Sequence, residues 1–332
     1  MIIINVDYKI KIGICGYGNL GRAAETEIAK NPDMELAVIF SRRKPEELRR
    51  RASGVPVAGP ENAAEWRGKL DALILCGGSS KDLPSQVVEY AKLFNTVDSY
   101  DAHAKIPGYF ESADAAAKSG GNIAVVSAGW DPGLFSILRL YMGSMIPCGK
   151  TYTFWGKGVS QGHSFAVKTI AGVEDAIQYT LPNEDALGRV RRGETPELSA
   201  RQRMKRLCYV AAADGADRAR IENEIKTMPD YFADYDTEVV FISLDELHAS
   251  HSRMTHGGNV IHSGATGSDN RHLIELSVKL DSNPEFTASI LLAYARAAYR
   301  LSARGETGAR TVFDIPPSLL SPMDRAQMLG LL

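Results

Sequence analysis

Lys9-Ile10-Lys11-Ile12-Gly13-Ile14-Cys15 runs directly into Gly16-Tyr17-Gly18-Asn19-Leu20-Gly21, and this junction decides the fold. The first stretch is a short β-branched run of the buried-strand type. After it, Leu20, Ala23, Ala24 and Ile28 recur at helical spacing until Asn31-Pro32 stops them. A G-x-G-x-x-G pattern is weak alone, because any tight turn can hold glycines. Between a strand and a helix it has a mechanism. The first glycine permits the turn, the second lets backbone approach a pyrophosphate, and the third lets helix pack on strand. Amides and dipole at the helix N-terminus then hold phosphates. Gly16, Tyr17, Gly18, Asn19, Leu20 and Gly21 are therefore expected to bind a dinucleotide.

Working outward, Glu35 to Phe40, Asp71 to Cys76, Thr96 to Asp98 and Asn122 to Ser127 read as further strands. Helices are expected from Pro84 to Phe94 and from Pro107 to Lys118, each with proline in its first turn. Such alternation predicts an α/β fold, a Rossmann-type doubly wound parallel sheet over residues 1–127. Beyond about residue 128 the strand candidates become longer and more alternating: Thr151 to Trp155, Ala176 to Thr180, Thr237 to Ser243 and His272 to Leu280. They predict a second, α+β domain over 128–304 with a mostly antiparallel sheet. A long helix is expected from Pro284 to Ala303. The tail, 305–332, is expected to pack back on the first domain.

Bulk properties exclude several functions. The 332 residues are 44% hydrophobic and 23% charged, and 38 basic against 40 acidic residues give a net charge of −2. That balance argues against a nucleic-acid binder. No apolar run reaches the roughly 18 residues of a membrane span. Met1-Ile2-Ile3-Ile4 is broken too early by Asn5, Asp7 and Lys9 to be a secretory signal. Cys15, Cys76, Cys148 and Cys208 are scattered without a C-x-x-C pair, which fits reduced thiols in a cytoplasm. His248 and His251 share a helical face, but no cysteine or carboxylate completes a ligand set, so no metal is expected.

Cofactor choice is read at the end of the second strand. An NAD site normally carries Asp or Glu there for the ribose 2′-hydroxyl, whereas this chain has Ser41-Arg42-Arg43-Lys44. Guanidinium groups pair with a 2′-phosphate, so NADP is expected. The bland alternative is a solvated basic loop continued by Arg49, Arg50 and Arg51. Cys76-Gly77-Gly78-Ser79 follows the third strand and either lies against the nicotinamide side of the cofactor or is a plain turn.

Substrate chemistry is expected where strands end, at the crevice of such a sheet. Asp98 and Asp101 lie in Asp98-Ser99-Tyr100-Asp101-Ala102-His103, and Asp131 in Gly129-Trp130-Asp131-Pro132-Gly133. Three carboxylates there would surround a substrate cation, although each alone also suits a turn or cap. The second domain offers the opposite sign. Arg189, Arg191, Arg192, Arg201, Arg203 and Lys205 read as a mostly solvated face. Arg206 differs, since it enters the strand-like Leu207-Cys208-Tyr209-Val210.

Taken in order, GYGNLG, SRR, DSYDAH, GWDPG, TFWGKGVSQGHS, QYTLP, KRLC, THGG and NPEFTAS resemble the meso-diaminopimelate dehydrogenase family, from about residue 10 to 300. The resemblance implies NADP-dependent oxidative deamination of the D-centre of meso-2,6-diaminopimelate, giving L-2-amino-6-oxopimelate and ammonia, and a cytoplasmic homodimer formed through the second domain. It implies that Asp98 and Asp131 receive the reacting amino group, with Asp101 close by. Trp130 and Trp155 would wall the site, and Gln161-Gly162 would bind the D-centre carboxylate. Thr180, Arg206 and His256 would hold the distal carboxylate, with Asn283 completing that end, and Ser41, Arg42 and Arg43 would take the 2′-phosphate. The physical reading agrees, because a substrate with two carboxylates and two ammonium groups needs a site of both signs. Two other readings stay open: an NADP-dependent oxidoreductase acting on a sugar or oxo acid, and an NADP-sensing regulator without turnover.

Overall fold

A computed structural model describes residues 8–48, 54–79, 81–268 and 270–332. The basic run Arg49 to Arg51 and the apolar start Met1 to Ile4 lie outside those residues. The strands are β1 (Ile10–Cys15), β2 (Met34–Phe40), β3 (Val57–Ala58), β4 (Ala72–Leu75), β5 (Thr96–Asp98), β6 (Ile123–Val125) and β7 (Gly149–Trp155). They continue as β8 (Gly158–Val159), β9 (Val173–Pro182), β10 (Met204–Ala212), β11 (Asp236–Phe241), β12 (His256–Thr266), β13 (Asn270–Leu280) and β14 (Gly308–Arg310). The chain divides into two compact units, Met1–Ile137 with Pro284–Leu332, and Leu138–Asn283.

The first unit holds a seven-stranded sheet in the order β14-β6-β5-β4-β1-β2-β3, parallel throughout. Ile12, Ile14, Leu73, Ile74 and Val97 are fully buried, as expected of strands covered on both faces. Helix α1 (Asn19–Ile28) turns Ala23, Ala24 and Ile28 into one core. On the other face Leu83, Val87 and Tyr90 of α2 (Leu83–Tyr90) pack with Tyr109, Ala113 and Ala117 of α3 (Ile106–Gly120).

The long helix spans Asn283–Ser302. It corrects the expected domain division. Ala288, Leu291, Leu292, Ala295 and Ala298 enter the core built by β1 and α1, so the helix belongs to the first unit rather than to a domain ending at 304. Its periodicity announces a buried face but not which core receives it. Arg296 is 2% exposed and fixes this packing. It donates from Nε and Nη2 to Asp33 at 2.6 and 2.9 Å, from Nη2 to Asn31 at 2.8 Å, and from Nη1 to the Leu320 carbonyl at 2.7 Å. Burial pushes the Asp33 carboxyl up, but hydrogen bonds to and the charge of Arg296 outweigh it and hold the group below its ordinary range. Stability from this pair is present above the unfolded carboxylate pKa and is lost as pH falls through the lowered folded value. Asp33→Ala leaves a buried cation unpaired and is expected to cost about 3–5 kcal/mol, measurable by urea denaturation at neutral pH. The deficit should shrink in acid.

The second unit contains two sheets where one was expected. One has the order β11-β10-β9-β8, with β10 and β11 parallel and the other pairs antiparallel. The other, β13-β12-β7, is antiparallel. Separate cores serve them. Ala176, Cys208, Val210, Ile221, Ile225 and Phe232 form one, and Tyr152, Phe154, Leu187, Val190 and Ile261 the other.

Candidate active site

In the first unit the glycine-rich turn follows β1 as its sequence requires. Gly16 has φ +94°, and a Cβ on Gly21 would fall 2.1 Å from the Gly16 carbonyl oxygen, so neither position admits a side chain. Gly18 is different: a Cβ there would meet nothing within 4 Å. The chain itself does not demand glycine at that point, which leaves a cradle for an approaching group. Gly18 is the N-cap of α1 and makes no side-chain cap, so the first amides of the helix remain available to phosphates. These residues fit a dinucleotide. Within the set, Tyr17 is 3% exposed and its hydroxyl donates to buried Glu25, so a contribution from it would come through its backbone.

Beyond β2, the hydroxyl of Ser41 accepts from the Arg43 amide at 3.1 Å, and Arg43 donates to the Tyr17 carbonyl. This brings a guanidinium onto the glycine-rich turn. Arg42 is largely exposed and meets Asp82 at 3.3 Å. After β4, Cys76 bonds to the Cys15 carbonyl at 2.8 Å. The Gly78 amide donates to Asp82 at 3.0 Å, and a Cβ on Gly77 would sit 2.3 Å from Gln86 Oε1. Close packing thus accounts for Gly77 without a ligand. Ser79 accepts from the Asp101 amide at 3.3 Å, linking this turn to the acidic loop.

The three aspartates separate into two kinds. Asp101 is exposed and Asp131 half-buried. Asp98 is fully buried, with Oδ1 accepting from the Tyr100 and Ser127 amides at 2.9 and 3.0 Å and Oδ2 from the Tyr109 hydroxyl at 2.7 Å. Burial pushes its carboxyl up, against the opposing pull of those three donors. The expectation that Asp98 meets the substrate amine is corrected on this ground, since its lone pairs are directed at the protein. Trp130 is also largely buried, its ring edge-on to Phe135 at 5.2 Å.

In the second unit, register brings distant residues together. Arg206 on β10 lies opposite Thr180 on β9, which in turn lies opposite Gly158 on β8. The His256 ring covers Gly158, where a Cβ would fall 2.4 Å from its Cγ. Arg206 is 8% exposed. Its Nη1 donates to the Thr180 hydroxyl, its Cζ stands 4.0 Å from the centre of the Tyr235 ring, and its Nε is buried without a partner. Arg189 and Arg192 pair with Glu194, Arg191 with Glu275 and Arg201 with Asp236, whereas Arg206 pairs with no carboxylate among the described residues. Burial lowers its pKa, yet a guanidinium stays charged. An unpaired buried charge is costly, and an anion beside it would offset that cost.

Other expected residues lie elsewhere in the same unit. Gln161 Nε2 approaches Met254 Sδ at 3.5 Å, and the Asn283 amide donates to the Met254 carbonyl at 2.9 Å, two residues before His256. Gly162 is exposed, with open space around its α-carbon. Trp155 ends β7 opposite Gly258. Sequence reasoning missed Tyr235 and His163. His163 bonds to Ser160 at 2.7 Å, and burial, then the charge of Arg206, hold it down at about 4. Its place in Ser160-Gln161-Gly162-His163 was a signal, whereas Tyr235 lies outside every motif.

The parallel sheet with its glycine-rich turn, together with a second unit that buries the Arg206 guanidinium, fits a nicotinamide-dependent oxidoreductase. A family model for the diaminopimelic acid dehydrogenase C-terminal domain matches residues 129–282. The chain belongs to the meso-diaminopimelate D-dehydrogenase family, amino-acid oxidoreductases acting on a CH–NH2 group. It is 56% identical over 322 residues to the meso-diaminopimelate D-dehydrogenase of Acetivibrio thermocellus, covering 96% of each chain. A crystal structure of a sixfold-substituted meso-diaminopimelate dehydrogenase from Clostridium tetani E88 with DAP is similar at TM-score 0.92 and 46% identity, covering 98% of this chain and 100% of that one. An engineered D-amino acid dehydrogenase bound to NADP+ is similar at TM-score 0.86 and 45% identity, covering 97% and 99%.

Proposed function

We propose that this chain catalyses the reversible, NADP-dependent oxidative deamination of the D-centre of meso-2,6-diaminopimelate. The observation that carries this reading is Arg206, a buried guanidinium braced by Thr180 and Tyr235 with no acidic partner among the described residues. A substrate bearing a carboxylate at its far end supplies that partner. The six substitutions of the Clostridium tetani mutant replace, in chain order, a glutamine, a threonine, an arginine, a proline, a histidine and an asparagine. This chain carries Gln161, Thr180, Arg206, Thr255, His256 and Asn283 at the same spacings, with threonine for the proline.

Residue roles are assigned from charge and from the family resemblance. Asp101 and Asp131 receive the D-centre amine, Gln161 and Gly162 its carboxylate, and Arg206, Thr180 and His256 the distal carboxylate, with Asn283 at that end. Trp130 and Trp155 flank the substrate. The amine sheds its extra proton, through a water relay to an aspartate, so that the nitrogen lone pair forms the iminium as hydride leaves Cα. Bound at the Gly16–Gly21 turn and the Ser41-Arg42-Arg43 run, NADP would supply the hydride acceptor. Water then converts the iminium to 2-amino-6-oxopimelate and ammonium. Carboxylates at the nitrogen favour the iminium charge, and fixing Cα–H supplies much of the rate.

For the 2′-phosphate we assign Ser41, Arg42 and Arg43. Exchanging both arginines for serine is expected to raise the NADP Michaelis constant about 100-fold or more while moving that for NAD little, since each charged contact contributes roughly 1.5–3 kcal/mol. Equal changes for both cofactors would remove the assignment. Absorbance at 340 nm with meso, LL and DD diaminopimelate tests the reaction, and reduction of NADP with the meso isomer alone is expected. A folded chain silent toward all three, or active on a polyol, would sink it.

A homodimer is proposed through the second unit. Leu140, Tyr141 and Met145 are 53%, 54% and 60% exposed on the helix Leu134–Met145. His262, bonded to the Ile146 carbonyl at the end of that helix, pairs across the sheet with Ile274, so half-buried Ile274, Leu276 and Val278 share its face. Such an apolar surface suits a second copy. A cytoplasmic location is proposed from the four free cysteines. No described helix is long and apolar enough to cross a membrane.

A further inference from the structure

We propose that Asp98 is a positioning residue, whose buried carboxylate ties the loop after β5 to the loop after β6 and so sets the aim of Asp101 and Asp131. The inference rests on the role given above to those two aspartates.

The tie has three parts. One carboxylate oxygen accepts from the Tyr100 amide, next in chain to Asp101, and also from the Ser127 amide, which opens the Gly129-Trp130-Asp131-Pro132-Gly133 turn. The other oxygen accepts from Tyr109 on α3. The backbone adds a fourth link, since the Ala128 amide donates to the Asp98 carbonyl at 2.8 Å. Tyr109 is itself held, its ring stacked on Tyr100 at 3.9 Å with 7° between planes.

The geometry of the second loop needs such an anchor. Ser127 has φ +55°, a left-handed conformation that costs a serine about 1–3 kcal/mol and persists only when its surroundings fix it. Its amide is the one that Asp98 holds. Further along, a Cβ on Gly133 would fall 1.6 Å from the Gly129 carbonyl oxygen, so the turn closes on itself and Asp131 is carried as part of a compact loop. A carboxylate at position 98 can accept all three donors at once. Smaller or apolar side chains would leave two buried amides and a hydroxyl unpaired.

Isosteric and truncating variants separate positioning from chemistry. In Asp98→Asn the side-chain carbonyl still accepts both amides, and its NH2 donates to the Tyr109 oxygen once that hydroxyl turns away. Turnover with meso-diaminopimelate is expected to stay within about tenfold of wild type, because one neutral hydrogen bond replaces a charged one. In Asp98→Ala turnover is expected to fall about 100-fold, the scale of an ångström misplacement of reacting groups. Binding of NADPH should be unchanged. Amide hydrogen exchange over 99–103 and 127–131 should quicken in Asp98→Ala and, less, in Tyr109→Phe. A loss in Asp98→Asn as deep as in Asp131→Asn, with exchange unchanged, overturns the proposal, since the carboxylate then does the chemistry itself. Wild-type exchange and turnover in Asp98→Ala overturns it too. If wild type fails to reduce NADP with the substrate, the functional reading falls, and the exchange rates alone judge the tie.

Discussion

Asp131→Asn is expected to lower turnover by about 100- to 1000-fold, the effect of removing one oriented group from the charge that develops in a transition state. As the imine forms, positive charge grows on a nitrogen leaving water, and a neutral amide compensates it poorly. Asp101→Asn is expected to fall in the same direction and by less, because Asp101 is exposed and water screens it. Steady-state rates with meso-diaminopimelate, set beside NADPH affinity by fluorescence, check both. Retained affinity with lost turnover is the expected pattern. A parallel loss of cofactor binding would point to a disturbed fold instead.

Arg206→Met should act on binding. The guanidinium is already desolvated, already stacked on Tyr235 and already donating to Thr180, so in the proposed role it would meet a distal carboxylate with little left to reorganise. Loss of a buried partner of that kind costs roughly 2–5 kcal/mol, which raises the Michaelis constant for meso-diaminopimelate about 30- to 4000-fold. A D-amino acid whose side chain ends without a carboxylate makes no such contact. Its kcat/KM should hold or rise, because methionine fills the pocket with apolar surface. Ratios of kcat/KM for the two substrates measure the switch, and an equal loss for both would contradict the assigned role.

Sequence pattern and structure agree most where local rules are strong. The run into Gly16-Tyr17-Gly18 combines strand, turn and helix signals that no distant contact needs to complete, and the strands after it alternate with helices at ordinary lengths. β12 was harder. Gly257, Gly258 and Gly264 weaken strand propensity, and pairing with β7 and β13 makes the strand instead. Among the three aspartates, spacing could locate the loops but could not say which side chain turns inward. That was settled by Tyr109, eleven residues away on α3. Arg206 stood out by entering an apolar run, but its isolation from carboxylates depends on a register between β9 and β10 that the residues alone do not reveal.

The helix Asn283–Ser302 and strand β14 have a consequence for how the protein is made. Both belong to the first unit, yet both are translated after the whole of the second. A ribosome releases the second unit while the earlier sheet still lacks its edge strand and part of its helical cover. Folding on the nascent chain therefore cannot proceed simply from front to back. Arg296 and its clamp on Asp33 form only in the final stage of synthesis, so premature termination before that helix leaves the nucleotide-binding half, although encoded first, without its closing core.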